Sequence, residues 1–243
     1  MHLLYYTLSA TDGISIPAAT AARRTDVIAV VRINGRLSRD SWWQGIPATT
    51  IAQLLSSLEN SPSTVATIIE WASGGGDARA VPWVLEYLRR PERIKKVYSV
   101  VETADSAAYW IAAATDGIYM HNDITAEAGS IGTMIGYIDP SGIWRKQGAV
   151  VRDIYPKNSP DKNSESRAAQ QGDFTPYQRL LEDMTEKFKS SVMALRPGID
   201  PSVLTGHTYF AADAIRLGLA DGMATSAQLA ARIESASTLR QAL

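Results

Sequence analysis

Glu102–Met134 reads ETADSAAYWIAAATDGIYMHNDITAEAGSIGTM, and the rest of the chain is organised around it. Ser106 stands where an apolar run ends and a small-residue helix begins, with Ala107, Ala108, Ala112, Ala113 and Ala114 leaving little side-chain bulk. Ile118-Tyr119-Met120 follows as a short strand, and the segment closes on the loop Gly129-Ser130-Ile131-Gly132. A serine or aspartate at a helix start often does no more than cap the free N–H groups there. Either Asp105 or Ser106 suits that role.

Working outward, Lys96–Val101 reads as the strand that feeds Ser106. Before it, Asp77–Arg90 carries Val81, Val84, Leu85 and Leu88 as one helical stripe, with Pro82 in the first turns, where its missing N–H is tolerated. That helix is preceded by the apolar run Val65–Trp71 and the turn Ser73-Gly74-Gly75-Gly76. Thr50–Leu58 has helical spacing at Ile51, Leu54, Leu55 and Leu58, and Val27–Ile33 is a continuous β-branched run ended by Asn34-Gly35. Strand, helix and strand recurring at this interval predict an α/β fold, with a mostly parallel sheet joined by crossover helices.

On the other side, Ile131–Ile138 and Val150–Tyr155 are expected as strands, with a short helix beginning at Ile143–Gln147. Pro156–Gly172 is polar and without apolar period, and reads as loop. Leu180–Leu195 is an amphipathic helix through Leu180, Leu181, Met184, Phe188 and Val192, Thr205–Met223 closes the fold, and Ser226–Leu243 is a terminal helix. The domain reading is an N-terminal arm over 1–25, with a possible short helix at Ala18–Arg24, one main domain over 26–225 and a helical tail over 226–243. Trp42-Trp43 are expected to pack on the rim of the core, or else to mark a subunit contact.

Composition removes several classes of function. The formal net charge of -1 gives no basic footprint for nucleic acid. With no cysteine and only His2, His121 and His207, widely spaced, neither a disulfide framework nor a metal cluster is expected. No apolar run approaches the roughly eighteen residues of a membrane span, and Met1–Tyr6 lacks the basic start of a secretory signal. No cofactor motif is present.

What remains is chemistry done by side chains. A strand–glycine-turn–helix junction such as Ser73–Gly76 offers free backbone N–H groups, which suit an oxyanion as well as a phosphate. A serine, such N–H groups and a lysine base form a complete hydrolytic site without histidine. The polar stretch after the second loop holds two lysines, Lys157 and Lys162. His207, although serine hydrolases often use histidine, is read as a surface or packing residue. Asp213 and Asp221 are read as caps or turn residues.

Four motifs carry a resemblance: Ser73-Gly74-Gly75-Gly76, Ala104-Asp105-Ser106-Ala107-Ala108-Tyr109, Gly129-Ser130-Ile131-Gly132 and Gly218-Leu219-Ala220-Asp221. In this order, over roughly Val27–Met223, the chain resembles the signal peptide peptidase A family, which includes phage head-maturation peptidases. The resemblance implies the Clp protease/crotonase fold, a spiral of ββα units, and a Ser–Lys dyad. By position it implies Ser106 as nucleophile, Ser130 as the residue that orients the lysine, and Gly75 or Gly76 as oxyanion donors. The register kept by Ile154-Tyr155 favours Lys162 as base, with Lys157 as second choice. It further implies a protein or peptide substrate, a homo-oligomer with sites completed at subunit contacts, and a soluble enzyme of the cytoplasm or the phage prohead.

Three departures from the family pattern are visible. Gly74 stands where proline is common, Ala108 where glycine is common, and Asp105 places a carboxylate beside the nucleophile, where it would hold a nearby lysine charged. They keep two other readings open: a scaffold or interaction subunit that has lost the chemistry, and a crotonase-type acyl-CoA enzyme.

Overall fold

Residues 1–10, 13–15 and 26–241 are described by the computed structural model; the helix or arm expected at Ala18–Arg24 lies outside them. They form two units, one of residues 1–132 with 189–243 and the other of residues 133–188.

In the first unit, β1 (His2–Ser9) and β2 (Gly13–Ser15) make a short antiparallel edge, and β3 (Val27–Asn34) runs parallel to β1 from His2↔Val27 to Ser9↔Asn34. The N-terminal segment assigned to an arm therefore begins as a strand of the main sheet. Its mixed composition fits an edge, with one neighbour carrying the apolar load. β3 itself is buried apart from Arg32 and Asn34, as a central parallel strand covered on both faces must be. Arg32 leaves the sheet to pair with Glu70 at 2.5 Å and lies 4.4 Å from the Tyr5 ring centroid.

A small parallel pair, β4 (Leu37–Ser38) and β5 (Ile46–Pro47), precedes α1 (Ala48–Asn60), which buries Ile51, Leu55 and Leu58. β6 (Thr64–Ser73), α2 (Val81–Leu88), β7 (Lys96–Asp105), α3 (Ala107–Ala112), β8 (Ile118–Met120) and β9 (Glu127–Gly129) follow. β3, β6 and β7 are parallel neighbours. β7 then shares one side between two strands: Ser99–Val101 pairs with β8, and Thr103–Asp105 with β9. Three strand ends, those of β6, β7 and β9, thus finish side by side at one edge of the sheet. In open α/β sheets ligand sites form outside the carboxyl ends of the strands.

A buried polar network locks β6 to β7. Trp71 Nε1 donates to Ser99 Oγ at 3.0 Å, and the Thr115 hydroxyl donates to the same oxygen at 3.1 Å. Each buried polar atom is satisfied, so the network fixes register without a desolvation penalty.

The second unit holds α4 (Ser141–Lys146), α5 (Ser164–Gln170) and the start of α6 (Thr175–Leu195). Neither strand expected here forms. Residues 134–139 and 150–155 make no backbone–backbone hydrogen bond with any of the described residues, because a β-type sequence becomes a strand only where a ladder partner exists. Tyr137 packs edge-on against Phe174, ring centroids 5.5 Å apart, and the Thr133 hydroxyl donates to the Leu181 carbonyl at 3.0 Å. Met134, Ile138, Val150 and Ile154 stay exposed. Conversely, α5 falls inside the stretch read as loop. It is a helix of seven residues with Ala169 its one buried position, too short and polar to show a period.

Back in the first unit, β10 (Thr208–Phe210) adds antiparallel to β9, α7 (Ala211–Arg216) follows, β11 (Gly222–Met223) pairs with β8, and α8 (Ser226–Gln241) ends the described chain. The sheet order is β2-β1-β3-β6-β7-β9-β10, with β8 also beside β7 and β11 on the far side of β8. Leu229 and Ala230 of α8 pack with Ile28, Val30, Ile68 and Val100 of the sheet.

Gly218–Asp221 is a structural clasp. Gly218 has φ +81°, and a Cβ there would lie 2.7 Å from the Gly198 carbonyl. Asp221 accepts from the Ile118 N–H at 2.7 Å and from Arg196 at 3.0 and 2.7 Å. Burial raises the Asp221 pKa, but the guanidinium and the N–H outweigh it and hold the carboxyl below its usual range.

Candidate active site

Ser106 stands at the N-cap position of α3 without capping it through its side chain. Its hydroxyl makes no capping bond, and Asp105 beside it bonds elsewhere. What the serine does with its main chain is more telling. Its N–H donates to the Gly129 carbonyl at 2.9 Å, completing the β7–β9 ladder, while its own carbonyl accepts from Trp110 N at 2.9 Å and starts α3. The chain turns from strand to helix within one residue, and the cost is φ 53°, ψ −122°. For a residue with a Cβ that conformation costs about 1–3 kcal/mol and recurs at functional sites. A strained serine at a strand-to-helix turn projects its Oγ outward, as in a nucleophile elbow.

Gly75 is pressed against this turn. A Cβ at Gly75 would lie 2.7 Å from the Asp105 carbonyl oxygen, 2.8 Å from Ser106 Cβ and 2.9 Å from Ala107 N. Only glycine, here at φ +92°, permits the approach. The loop is held from behind: Leu37 N donates to the Gly75 carbonyl at 2.8 Å, and Asp77 N to the Leu37 carbonyl at 3.0 Å. Gly76 faces Leu37, whose carbonyl oxygen its missing Cβ would meet at 2.1 Å. Of the two glycines, Gly75 lies against the serine. Its N–H donates to Ser73 Oγ at 3.2 Å, a long bond to a hydroxyl that can rotate away.

Ala107 was not singled out from sequence. As the first residue of α3 it has an N–H with no intrahelical acceptor, and that nitrogen sits beside Gly75. The general rule that a helix start leaves its first N–H groups free would have found it. Ala108 is helical and fully buried, so alanine in place of glycine there imposes no strain.

Ser130 follows β9 as Ser106 follows β7. Its φ is 52°, and its N–H donates to the His207 carbonyl at 2.8 Å. A Cβ at Gly129 would lie 2.6 Å from the same carbonyl oxygen. His207 therefore contributes main chain to the loop, and its residue is exposed.

Asp105 accepts from the Thr208 hydroxyl at 3.1 Å. Burial pushes its carboxyl up to about 6; the Thr208 bond opposes the shift and the nearby Glu127 carboxylate adds to it. Above that pH a carboxylate lies next to Ser106 in the chain.

Lys157 and Lys162 belong to the second unit, and both are exposed. Lys162 sits in a run of tight turns: its N–H donates to the Ser159 carbonyl at 3.2 Å, and Ser164 N to the Asp161 carbonyl at 3.1 Å. Among the described residues no cluster of His, Asp or Glu could hold a metal ion.

Trp42 is half-buried, but Trp43 is 84% exposed at the tip of the 3-10 turn between β4 and β5, so the rim-packing expectation does not hold for it.

The mostly parallel sheet with crossover helices, and a strained serine against a glycine loop at its strand ends, are the marks of the Clp protease/crotonase-like class. Two solved structures share the fold. A lysine-to-alanine variant of the 1510-N membrane-bound stomatin-specific protease, in complex with a substrate peptide, aligns with TM-score 0.55 at 15% identity over 84% of this chain and 78% of that one. A serine-to-alanine variant of the same protease aligns with TM-score 0.52 at 15% identity, covering 82% and 80%. No curated protein matches the sequence. The family model for peptidase family S49 matches residues 89–240. The chain belongs to peptidase family S49, the signal peptide peptidase A family, and is a serine peptidase.

Proposed function

We propose that the chain is a Ser–Lys endopeptidase in which Ser106 attacks the scissile carbonyl. The uncommitted hydroxyl on a strained turn, with Gly75 packed against it, is the observation that carries this reading. Lys162 takes the serine proton and returns it to the leaving amine, with Lys157 as second choice and Ser130 orienting the amine. The N–H groups of Gly75 and Ala107, side by side at the turn, receive the oxyanion, and Gly76 fixes the loop to Leu37. A lysine acts as base only when neutral, which requires a site that removes the amine from water.

Both lysines are exposed in the single chain, which supports a homo-oligomer in which a neighbouring copy closes the site. Exposed Met134, Ile138, Val150 and Ile154, on segments without backbone partners, provide an apolar surface for that contact. The substrate is a protein or peptide, as in the peptide complex of the solved relative. The resemblance to phage head-maturation peptidases supports a prohead or cytoplasmic enzyme. Among the described residues no helix is long and apolar enough to cross a membrane.

The test is cleavage of casein, and of the chain itself, read by intact mass for wild type, Ser106→Ala, Lys162→Ala and Lys157→Ala. Loss of cutting in the first two variants alone assigns the dyad. Unchanged cutting by Ser106→Ala would remove the nucleophile and the reading with it.

A further inference from the structure

The turn that carries Lys162 is closed by one side chain of its own unit. Arg167, on α5, donates from its guanidinium to the Pro160 carbonyl, and its backbone N–H donates to the Asn163 carbonyl at 3.1 Å. Lys162 lies between those two carbonyls in sequence, so one residue grips the chain on both sides of it. The same guanidinium lies 4.9 Å from the centroid of the Tyr155 ring, at the start of the loop. Asn163, the last residue before α5, is held at φ 58°, a left-handed conformation that a side chain adopts only at some cost. Arg167 Nε is buried and is the one buried side-chain nitrogen or oxygen among the described residues without a hydrogen-bond partner. A loop charge with no structural task would turn that atom to water, since an unsatisfied buried donor is costly.

We propose that Arg167 is a positioning residue for the catalytic lysine: it clamps Tyr155, Pro160 and Asn163 together and presents Lys162 in one orientation. This rests on the Ser106–Lys162 reading. A general base must stand within hydrogen-bond reach of the proton it removes, and displacement by about 1 Å costs about a hundredfold in rate. The planar guanidinium stacks and donates at once, which a lysine ammonium does not do. A conservative replacement therefore fails to restore the function.

The experiment uses the full chain as Arg167→Ala, Arg167→Lys, Tyr155→Leu, Lys162→Ala and the Arg167→Ala/Lys162→Ala double variant, with fluorescent casein as probe. Melting curves establish that each variant folds. Arg167→Ala is expected to lower kcat about 10- to 100-fold with KM changed by less than about twofold. Arg167→Lys and Tyr155→Leu follow in the same direction, and Arg167→Ala has no further effect once Lys162 is gone. Hydrogen exchange of the Ser159, Lys162 and Ser164 amides speeds up in Arg167→Ala while β6 and β7 stay protected. Wild-type kcat in Arg167→Ala, beside an inactive Lys162→Ala, overturns the clamp and leaves the dyad standing. Full activity in Lys162→Ala overturns the dyad, and the clamp's catalytic role with it. Unchanged exchange in the loop overturns the clamp regardless of activity.

Discussion

Ser106 and Ser130 are the residues immediately after Asp105 and Gly129, a registered pair at the ends of two neighbouring parallel strands, and both have positive φ, at 53° and 52°. The ladder is completed by the Ser106 N–H on the Gly129 carbonyl. The sheet thus sets the two hydroxyl-bearing residues at the ends of neighbouring strands. If Ser130 orients the base, Ser130→Ala lowers kcat, by less than the about 10²–10⁴-fold that loss of a general base removes. Ser130→Gly is equally impaired but no less stable, because glycine adopts the left-handed conformation without strain. Steady-state kinetics and thermal melts on the two variants check this.

Two adjacent glycines predict opposite outcomes. A side chain at Gly74 meets nothing within 4 Å, and Gly74 is not among the positive-φ glycines. Gly74→Ala is expected to gain about 0.4–1 kcal/mol of stability by restricting the unfolded chain, with activity kept. Gly75→Ala drives a methyl onto Ser106 Cβ and Ala107 N, displacing the proposed oxyanion donor, with an expected loss of about 10²–10³ in kcat. Denaturant unfolding and casein turnover separate the two.

Asp105 gives a pH dependence with a defined sign. Burial moves its carboxyl up to about 6 in the folded chain, from an ordinary value of 3.8, so between those values the folded state binds more protons than the unfolded one. Its contribution to stability is then present at low pH and is lost as pH rises through about 6. Asp105→Asn, which keeps an acceptor for Thr208, is expected to flatten stability between pH 4 and 7. The same variant turns over casein faster than wild type at pH 8, where the carboxylate opposes both the oxyanion and a neutral lysine, and by a smaller factor at pH 5. Urea melts and rates across this range provide the check.

Asp221→Ala removes the carboxylate acceptor for Arg196 and for the Ile118 N–H, leaving a largely buried guanidinium with only the Gly218 carbonyl as acceptor. A loss of about 2–3 kcal/mol is expected, seen as a lower denaturant midpoint with an unchanged m-value.

Most of the first unit was legible because its strands are rich in β-branched and apolar residues and its turns carry glycine. Val27–Ile33, Val65–Trp71 and Lys96–Val101 all fall inside observed strands. Ile131–Ile138 and Val150–Tyr155 carry the same local signal but find no ladder partner, and local sequence does not report partners. In the candidate site, Ser106 and the Ser73–Gly76 turn stood out at strand-to-helix junctions, whereas Ser130 entered through the family resemblance alone. The Asp105–Thr208 bond joins residues 103 apart, and nothing near either announces it. Arg167 was hidden for another reason: a short polar helix inside a polar stretch looks like the loop around it.

The proposed function stands on Ser106 as a nucleophile activated by its surroundings. Labelling the assembled protein with a fluorophosphonate probe, followed by peptide mapping, tests it most directly. One adduct is expected, on Ser106, lost in Lys162→Ala and retained in Lys157→Ala. An adduct on another residue, or equal labelling of Ser106 in wild type and Lys162→Ala, would contradict it.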